Sequence, residues 1–226
     1  MIMSMDYVAW ANKNKKRIAR EFIRRIDYEP SATPAAIFTA GLPGAGKTEF
    51  TVELLKGLSK KPLRMDMDEI AQLIEGYKPE IADKFRGGAS SILSRIYDEV
   101  VKNNIDFVFD GTFAHANAIL NLERALKHGY TVKVYYIHQE PAVAWQFTKD
   151  RELVVHRAID RIGFNETYLN LEENLKTLCN IHKDVTISLV IKDENNQVGR
   201  IVENVQNLFD QLPPFLSKTK LESDIL

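Results

Sequence analysis

A lysine and a hydroxyl side chain placed directly behind a glycine-rich turn are chemistry for holding a polyphosphate. Residues 41–48 read Gly-Leu-Pro-Gly-Ala-Gly-Lys-Thr and satisfy every fixed position of the G-x-x-x-x-G-K-[ST] phosphate loop. Gly41, Leu42, Gly44, Ala45 and Gly46 supply backbone N–H groups that can point inward around a phosphate, and Pro43, which has no N–H, shapes the same binding loop. Lys47 then reaches the β- and γ-phosphates, and the Thr48 hydroxyl is placed for Mg²⁺. Glu49 continues into a helix whose N-terminus adds its partial positive charge. Three carboxylates, Asp66, Asp68 and Asp110, fall at or just beyond apolar runs that read as strands. Asp110 closes FVFD and suits Mg²⁺, directly or through water; its plainer reading is a turn-forming Asp before Gly111. Asp68 suits the base that takes a proton from an acceptor hydroxyl, and it equally suits a helix N-cap. Both readings stay open. Arg151, Arg157 and Arg161, flanked by Lys149, suit a lid over the triphosphate, where charge develops on the transferred phosphoryl oxygens. Arg157 and Arg161 share a helix face at i, i+4; the plainer reading of the stretch is a solvated helix with Glu152 and Asp160 as partners.

These groups need elements to hold them. The run Ala36–Ala40 reads as a buried strand, and from Thr48 the pattern turns helical through Phe50, Leu54, Leu55 and Leu58. Further strands are expected over 62–66, 105–110, 130–137 and 185–191. Between them lie helical patterns from Asp68 past Tyr77, over 80–103 with a bend at Gly87-Gly88, and over 115–128 closed by Gly129. Helices are also expected from Pro141 through Gly163, over 165–179, and over 200–211 after a turn at 193–196. Five apolar strands alternating with helices imply an α/β fold. It is a five-stranded parallel sheet with helices on both faces, of the P-loop NTPase kinase type, with its ligands at the carboxyl ends of the strands. Ahead of it, residues 4–27 form an amphipathic helix with Val8, Ala11, Ile18, Phe22, Ile23 and Ile26 on one side. Lys13, Lys15, Lys16, Arg17, Arg20, Arg24 and Arg25 lie on the other. The expected organisation is this helix over 1–30, a kinase domain over 31–212 with the lid at about 149–163, and a loosely held tail over 213–226.

Composition narrows the class. Thirty Lys and Arg against 31 Asp and Glu leave a formal charge of −1, so no global basic field recruits nucleic acid or an anionic membrane. One cysteine, Cys179, cannot form an internal disulfide and fits a reducing compartment. No apolar run approaches the ~18 residues of a membrane span, and the first twenty residues lack a signal-peptide pattern, so a cytoplasmic protein is expected. His115, His128, His138, His156 and His182 lack metal-ligand spacing, but His115 follows Gly111-Thr112 at the rim of the expected site.

GLPGAGKT, MDMDEI, FVFDGTFAHA, the arginine-rich stretch and NLEENLKTL together resemble the zeta-toxin family of P-loop kinases, over about residues 35–192. The resemblance implies ATP-dependent phosphorylation of a hydroxyl on UDP-N-acetylglucosamine or a related UDP-sugar. It places Lys47 and Thr48 on the phosphates and Mg²⁺, and Asp68 as catalytic base. Thr112 matches the substrate-side threonine and Arg151 the first lid arginine; Arg157 and Arg161 are alternatives for the second. It admits an antitoxin protein as partner. The chain departs from the family at Ala114 and His115, where the family often has an arginine. For the acidic residue that grips the sugar, Asp98 and Glu99 stand at shifted spacing. Polynucleotide 5′-hydroxyl kinases, which share the P-loop, the Asp-rich segment and the arginine lid, are the rival reading, followed by other small-molecule kinases. A nucleotide-switched binding module is the alternative of a different class. No N-K-x-D-type guanine motif occurs, which points to ATP, with GTP as the alternative.

Overall fold

The computed structural model describes residues 6–25, 29–155 and 159–225 of the chain. Helix α1 (Tyr7–Arg24) leads into β1 (Ala35–Ala40), the phosphate loop and α2 (Lys47–Lys56). Then come β2 (Leu63–Asp66), the short α3 (Met67–Ala71), a 3₁₀ segment (Pro79–Phe85) and α4 (Arg86–Lys102). β3 (Phe107–Asp110), α5 (Ala118–Lys127), β4 (Thr131–His138) and α6 (Pro141–Val155) follow. The chain closes with α7 (Arg161–Ile181), β5 (Thr186–Lys192), β6 (Val198–Val202), a 3₁₀ turn (Leu208–Gln211) and α8 (Lys218–Asp224). The strands form one sheet in the order β2-β3-β1-β4-β5-β6. The first five are parallel, as their alternation with helices requires, and β6 adds an antiparallel edge to β5. The order reverses at β1, so the loop after β1 opens into the crevice where such sheets bind ligands.

The strands are apolar on both sides because helices cover both faces. Phe38, Phe107, Phe109 and Tyr97 interlock beneath β1 and β3 at ring-centroid distances of 5.6–5.9 Å. Such pairs contribute about 1 kcal/mol each beyond their area burial. This cluster fixes β3 against α4, and so sets where Asp110 emerges.

Several boundaries differ from expectation, each for a local reason. Gly87 and Gly88 do not bend α4; they sit in its first turn and admit α1. A Cβ on Gly88 would lie 2.9 Å from the Tyr7 carbonyl oxygen and 3.1 Å from the Ala11 Cβ. α1 thereby packs along α4, burying Ala11, Ile18, Ala19 and Phe22. The helix expected from Pro141 through Gly163 ends at Val155. A new helix starts at Arg161, where the Asp160 carboxylate accepts the Gly163 N–H at 2.7 Å as its N-cap. Residues 200–211 do not form one helix: they begin in β6 and end in the 3₁₀ turn. Asp193 accepts the N–H groups of Asn195 and Gln197, Asn196 adopts φ 60°, and the hairpin so formed returns β6 along β5. The tail is anchored as well: Ser217 caps α8, and Leu221 and Ile225 are buried. Among the described residues no helix is long and apolar enough to cross a membrane.

Candidate active site

The phosphate loop takes its shape from three glycines in conformations other residues resist. Gly41 (φ 149°), Gly44 (φ 79°) and Gly46 (φ 77°) all have positive φ. A Cβ at Gly41 would stand 2.5 Å from the Ile137 carbonyl oxygen, and one at Gly44 would stand 2.1 Å from that of Ala144. The loop is thus pressed between β4 and α6, with no room for side chains at these turns. Gly46 caps α2, and having no side chain it lets an anion approach the partial positive charge of that helix N-terminus. The Lys47 ammonium donates to the Leu42 carbonyl at 2.6 Å, drawing across the loop it closes. The donor set therefore fits a triphosphate. Mg²⁺ takes one or two protein ligands beside substrate phosphates, and Thr48 at the start of α2 can be one of them.

The loop borders a cavity of about 810 Å³, of the size that takes substrate-sized ligands. Pro43, Gly44, Gly46, Lys47, Thr48 and Glu49 line it from the loop side, whereas Gly41, Leu42 and Ala45 are buried behind. Asp66, Asp68, Asp110, Thr112 and His115 line it from the β2 and β3 ends, and Arg151 lines it from α6. Residues separated by more than a hundred positions thus meet at one crevice. Not all of the expected set does. Asp98 is paired with Arg124 at 2.6 Å and Glu99 with Arg95, and neither lines the cavity. One helical step places Tyr97 on the lining instead, its hydroxyl donating to the Asn121 carbonyl. Arg161 is exposed at the first position of α7 and lies off the lining, so it does not extend a helix face from α6. Arg157 lies outside the described residues.

Asp66, not Asp68, is the N-cap of α3. Its Oδ1 accepts the N–H groups of Asp68 at 2.7 Å and Glu69 at 3.1 Å. Asp68 therefore stands one residue inside the helix, with its carboxylate not required for the cap. Asp110 is held by two protein side chains. Arg64 Nε donates to its Oδ2 at 2.9 Å, and Thr39 Oγ1 lies 3.2 Å from its Oδ1. Burial pushes the Asp110 carboxyl above the usual carboxylate range, and Arg64 works against that shift. On the same rim, the Thr112 carbonyl accepts the Gly41 N–H at 3.1 Å, tying the phosphate loop to β3. The His115 ring lies tilted against Phe109 at a centroid distance of 5.9 Å, and burial pushes its imidazole toward the neutral form.

Sequence reasoning missed four contributors. Arg64 looked like an ordinary strand residue. Asn174, in the NLEENLKTL segment, donates to the carbonyls of Phe113 at 2.8 Å and His115 at 3.3 Å and so props up the rim. Asn196 donates to the Gly44 carbonyl at 3.2 Å and is itself held by Gln139, clasping the phosphate loop from the β5–β6 hairpin. Tyr97 was passed over for its charged neighbours. An amide on the polar side of α7 was the sole visible signal for Asn174, and the Asn pair of the turn for Asn196.

Fold and site together define a P-loop kinase. The zeta toxin family model matches residues 20–205, and the chain belongs to the zeta toxin family. Among solved structures, the chain is similar to one from the PezAT chromosomal toxin–antitoxin system of Streptococcus pneumoniae. The TM-score is 0.72 at 15% identity, covering 96% of this chain and 94% of that one. It is also similar to the AvrRxo1-ORF1:-ORF2 complex with ATP, with TM-score 0.55 at 13% identity over 87% of this chain and 63% of that one. A third likeness is to the Pnkp1/Rnl/Hen1 RNA repair complex, with TM-score 0.50 at 10% identity over 78% of this chain and 50% of that one. At such identities the likeness is one of fold. No curated protein matches the chain by sequence.

Proposed function

We propose that this protein transfers the γ-phosphoryl group of ATP to a hydroxyl of a UDP-sugar, UDP-N-acetylglucosamine being the favoured acceptor. The observation that carries this reading is the meeting of Lys47, Thr48, Asp68 and Arg151 on one cavity. Lys47 and the amides at the start of α2 bind the β- and γ-phosphates. Thr48 holds Mg²⁺, which supplies charge neutralisation across the phosphates when bound. Asp68 accepts the proton of the acceptor hydroxyl as its oxygen bonds to the γ-phosphorus. The bond to the β,γ-bridging oxygen breaks, and ADP leaves. Arg151 reaches from α6 toward the transferred group, where its charge matters most in the transition state. Thr112, at the β3 rim, orients the acceptor, and neutral His115 beside it offers a ring face and a hydrogen bond. A nucleotide-switched module would need no carboxylate at position 68. The UDP-sugar assignment rests on family membership, and so does an antitoxin protein as partner.

The test is transfer from γ-labelled ATP in a panel of UDP-sugars, nucleosides and 5′-hydroxyl oligonucleotides. Labelled UDP-N-acetylglucosamine is the expected product. Label carried only by oligonucleotide would replace this reading with polynucleotide 5′-hydroxyl kinase activity, and ATP hydrolysis without any labelled acceptor would favour the switch.

A further inference from the structure

Arg64, Asp66 and Asp110 project from the same face of two neighbouring strands. Asp66 and Asp110 are direct register partners across β2 and β3, and Arg64 lies two residues before Asp66 on the same side of β2. Two carboxylates so placed repel each other, and both are poorly solvated: their side chains are 16% and 3% exposed. The Arg64 guanidinium lies between them. One terminal nitrogen is 2.6 Å from Asp66 Oδ2 and 2.8 Å from Asp110 Oδ2, and its Nε donates to the same Asp110 oxygen at 2.9 Å. The planar fork of an arginine suits this task, which a point-charged lysine can meet only in part.

We propose that Arg64 is the positioning residue for the catalytic carboxylate of Asp68. The chain of contacts runs from Arg64 to Asp66 Oδ2, and from Asp66 Oδ1 to the amides of Asp68 and Glu69. With one oxygen held by Arg64, the other can cap α3 in a single orientation, which sets the start of the helix bearing Asp68. The second arm of the fork holds Asp110, whose neighbour Gly111 donates to Thr39 on β1 at 2.8 Å. Through Thr39 and the Gly41–Thr112 hydrogen bond, the Asp68 turn and the D-G-T rim share one frame with the phosphate loop. This inference rests on Asp68 being the base, but the placement of α3 can be read without any acceptor.

The experiment uses the full chain with Arg64→Met, which keeps length and loses the fork, and Arg64→Lys, which keeps the charge. Amide hydrogen exchange is followed at Asp68 and Glu69, and kcat and KM for ATP are measured with UDP-N-acetylglucosamine as probe. In Arg64→Met those two amides should exchange about five- to tenfold faster, the worth of a weakened cap, while amides of β1 and β4 keep their protection. kcat should fall about 10- to 100-fold, as expected for a displaced catalytic group, with KM for ATP changed little. Arg64→Lys should lie between Met and wild type on both readouts. It carries the test alone if Arg64→Met does not fold. Unchanged exchange at Asp68 and Glu69 in a folded variant overturns the proposal, as does a kcat loss matched by an equal loss of ATP affinity. Should UDP-N-acetylglucosamine not be phosphorylated even by wild type, the acceptor assignment fails, and the exchange result still decides the role of Arg64.

Discussion

Gly44→Ala tests whether the phosphate loop is held against α6 by close backbone contact. The substitution adds one methyl group at a residue with φ 79°, where a Cβ costs about 1–2 kcal/mol on conformation alone. That methyl would meet the Ala144 carbonyl oxygen at 2.1 Å and the Thr148 hydroxyl at 2.7 Å. Both are parts of a buried helix turn, where Thr148 Oγ1 itself donates to the Ala144 carbonyl, so neither can swing aside. Relieving such a clash costs typically about 1–3 kcal/mol, giving about 2–5 kcal/mol in all. For a domain of this length each kcal/mol lowers Tm by about 2–4 °C, so the expected drop is roughly 4–20 °C. Gly129→Ala is the matched control. Its φ is 80°, but nothing lies within 4 Å of the added Cβ, so it bears the conformational cost alone. Thermal unfolding followed by circular dichroism on both variants separates the two contributions. Equal Tm losses for Gly44→Ala and Gly129→Ala would refute the close approach of the loop to α6.

Three further outcomes follow from the same geometry. Lys47→Ala should abolish phosphoryl transfer while leaving Tm within a few degrees, because the side chain lines the cavity and its ammonium is held by a carbonyl of the phosphate loop; retained transfer in the folded variant would contradict the phosphate role. Arg151→Ala should lower kcat by more than it raises KM for ATP, read by steady-state kinetics, as the proposed action of its charge on the transition state requires; a pure KM effect would contradict this. Gly88→Val should loosen α1 from α4, because even a Cβ there meets the Tyr7 carbonyl at 2.9 Å, and protease cleavage near residue 25 should speed up; an unchanged cleavage rate would mean that α1 does not depend on this approach.

The phosphate loop was legible because its backbone geometry is written in residue types: glycine stands where φ is positive, and lysine and threonine follow at fixed positions. The parallel sheet was legible from buried apolar runs alternating with helical patterns. The edge strand β6 was not. Ile201, Val205 and Leu208 are spaced i, i+4, i+7, which suits a helix, and only the pairing with β5 and the Asn196 turn make residues 198–202 extended. The sequence points to Asp68 as a cap of α3, whereas Asp66 caps it, because a helix start shifts by a residue or two without changing the pattern. The Arg64 clasp was hidden for a deeper reason. It exists only once β2 and β3 are in register, and register is a property of two strands, not of either sequence alone. Asp98 illustrates the converse: an acidic residue at nearly suitable spacing, turned one helical step away from the cavity and neutralised by Arg124.

The proposed transfer depends most directly on Asp68, and Asp68→Asn isolates it. The Asp66 carboxylate provides the cap of α3, so the substitution leaves the helix start intact, and the phosphate loop is untouched. Phosphorylated product formed from γ-labelled ATP and UDP-N-acetylglucosamine is measured beside ATP affinity on the same preparation. Loss of a positioned base should reduce product by roughly 10²- to 10⁴-fold with ATP affinity nearly unchanged. Full transfer activity in Asp68→Asn, or a loss of ATP affinity in step with activity, would contradict Asp68 as the base.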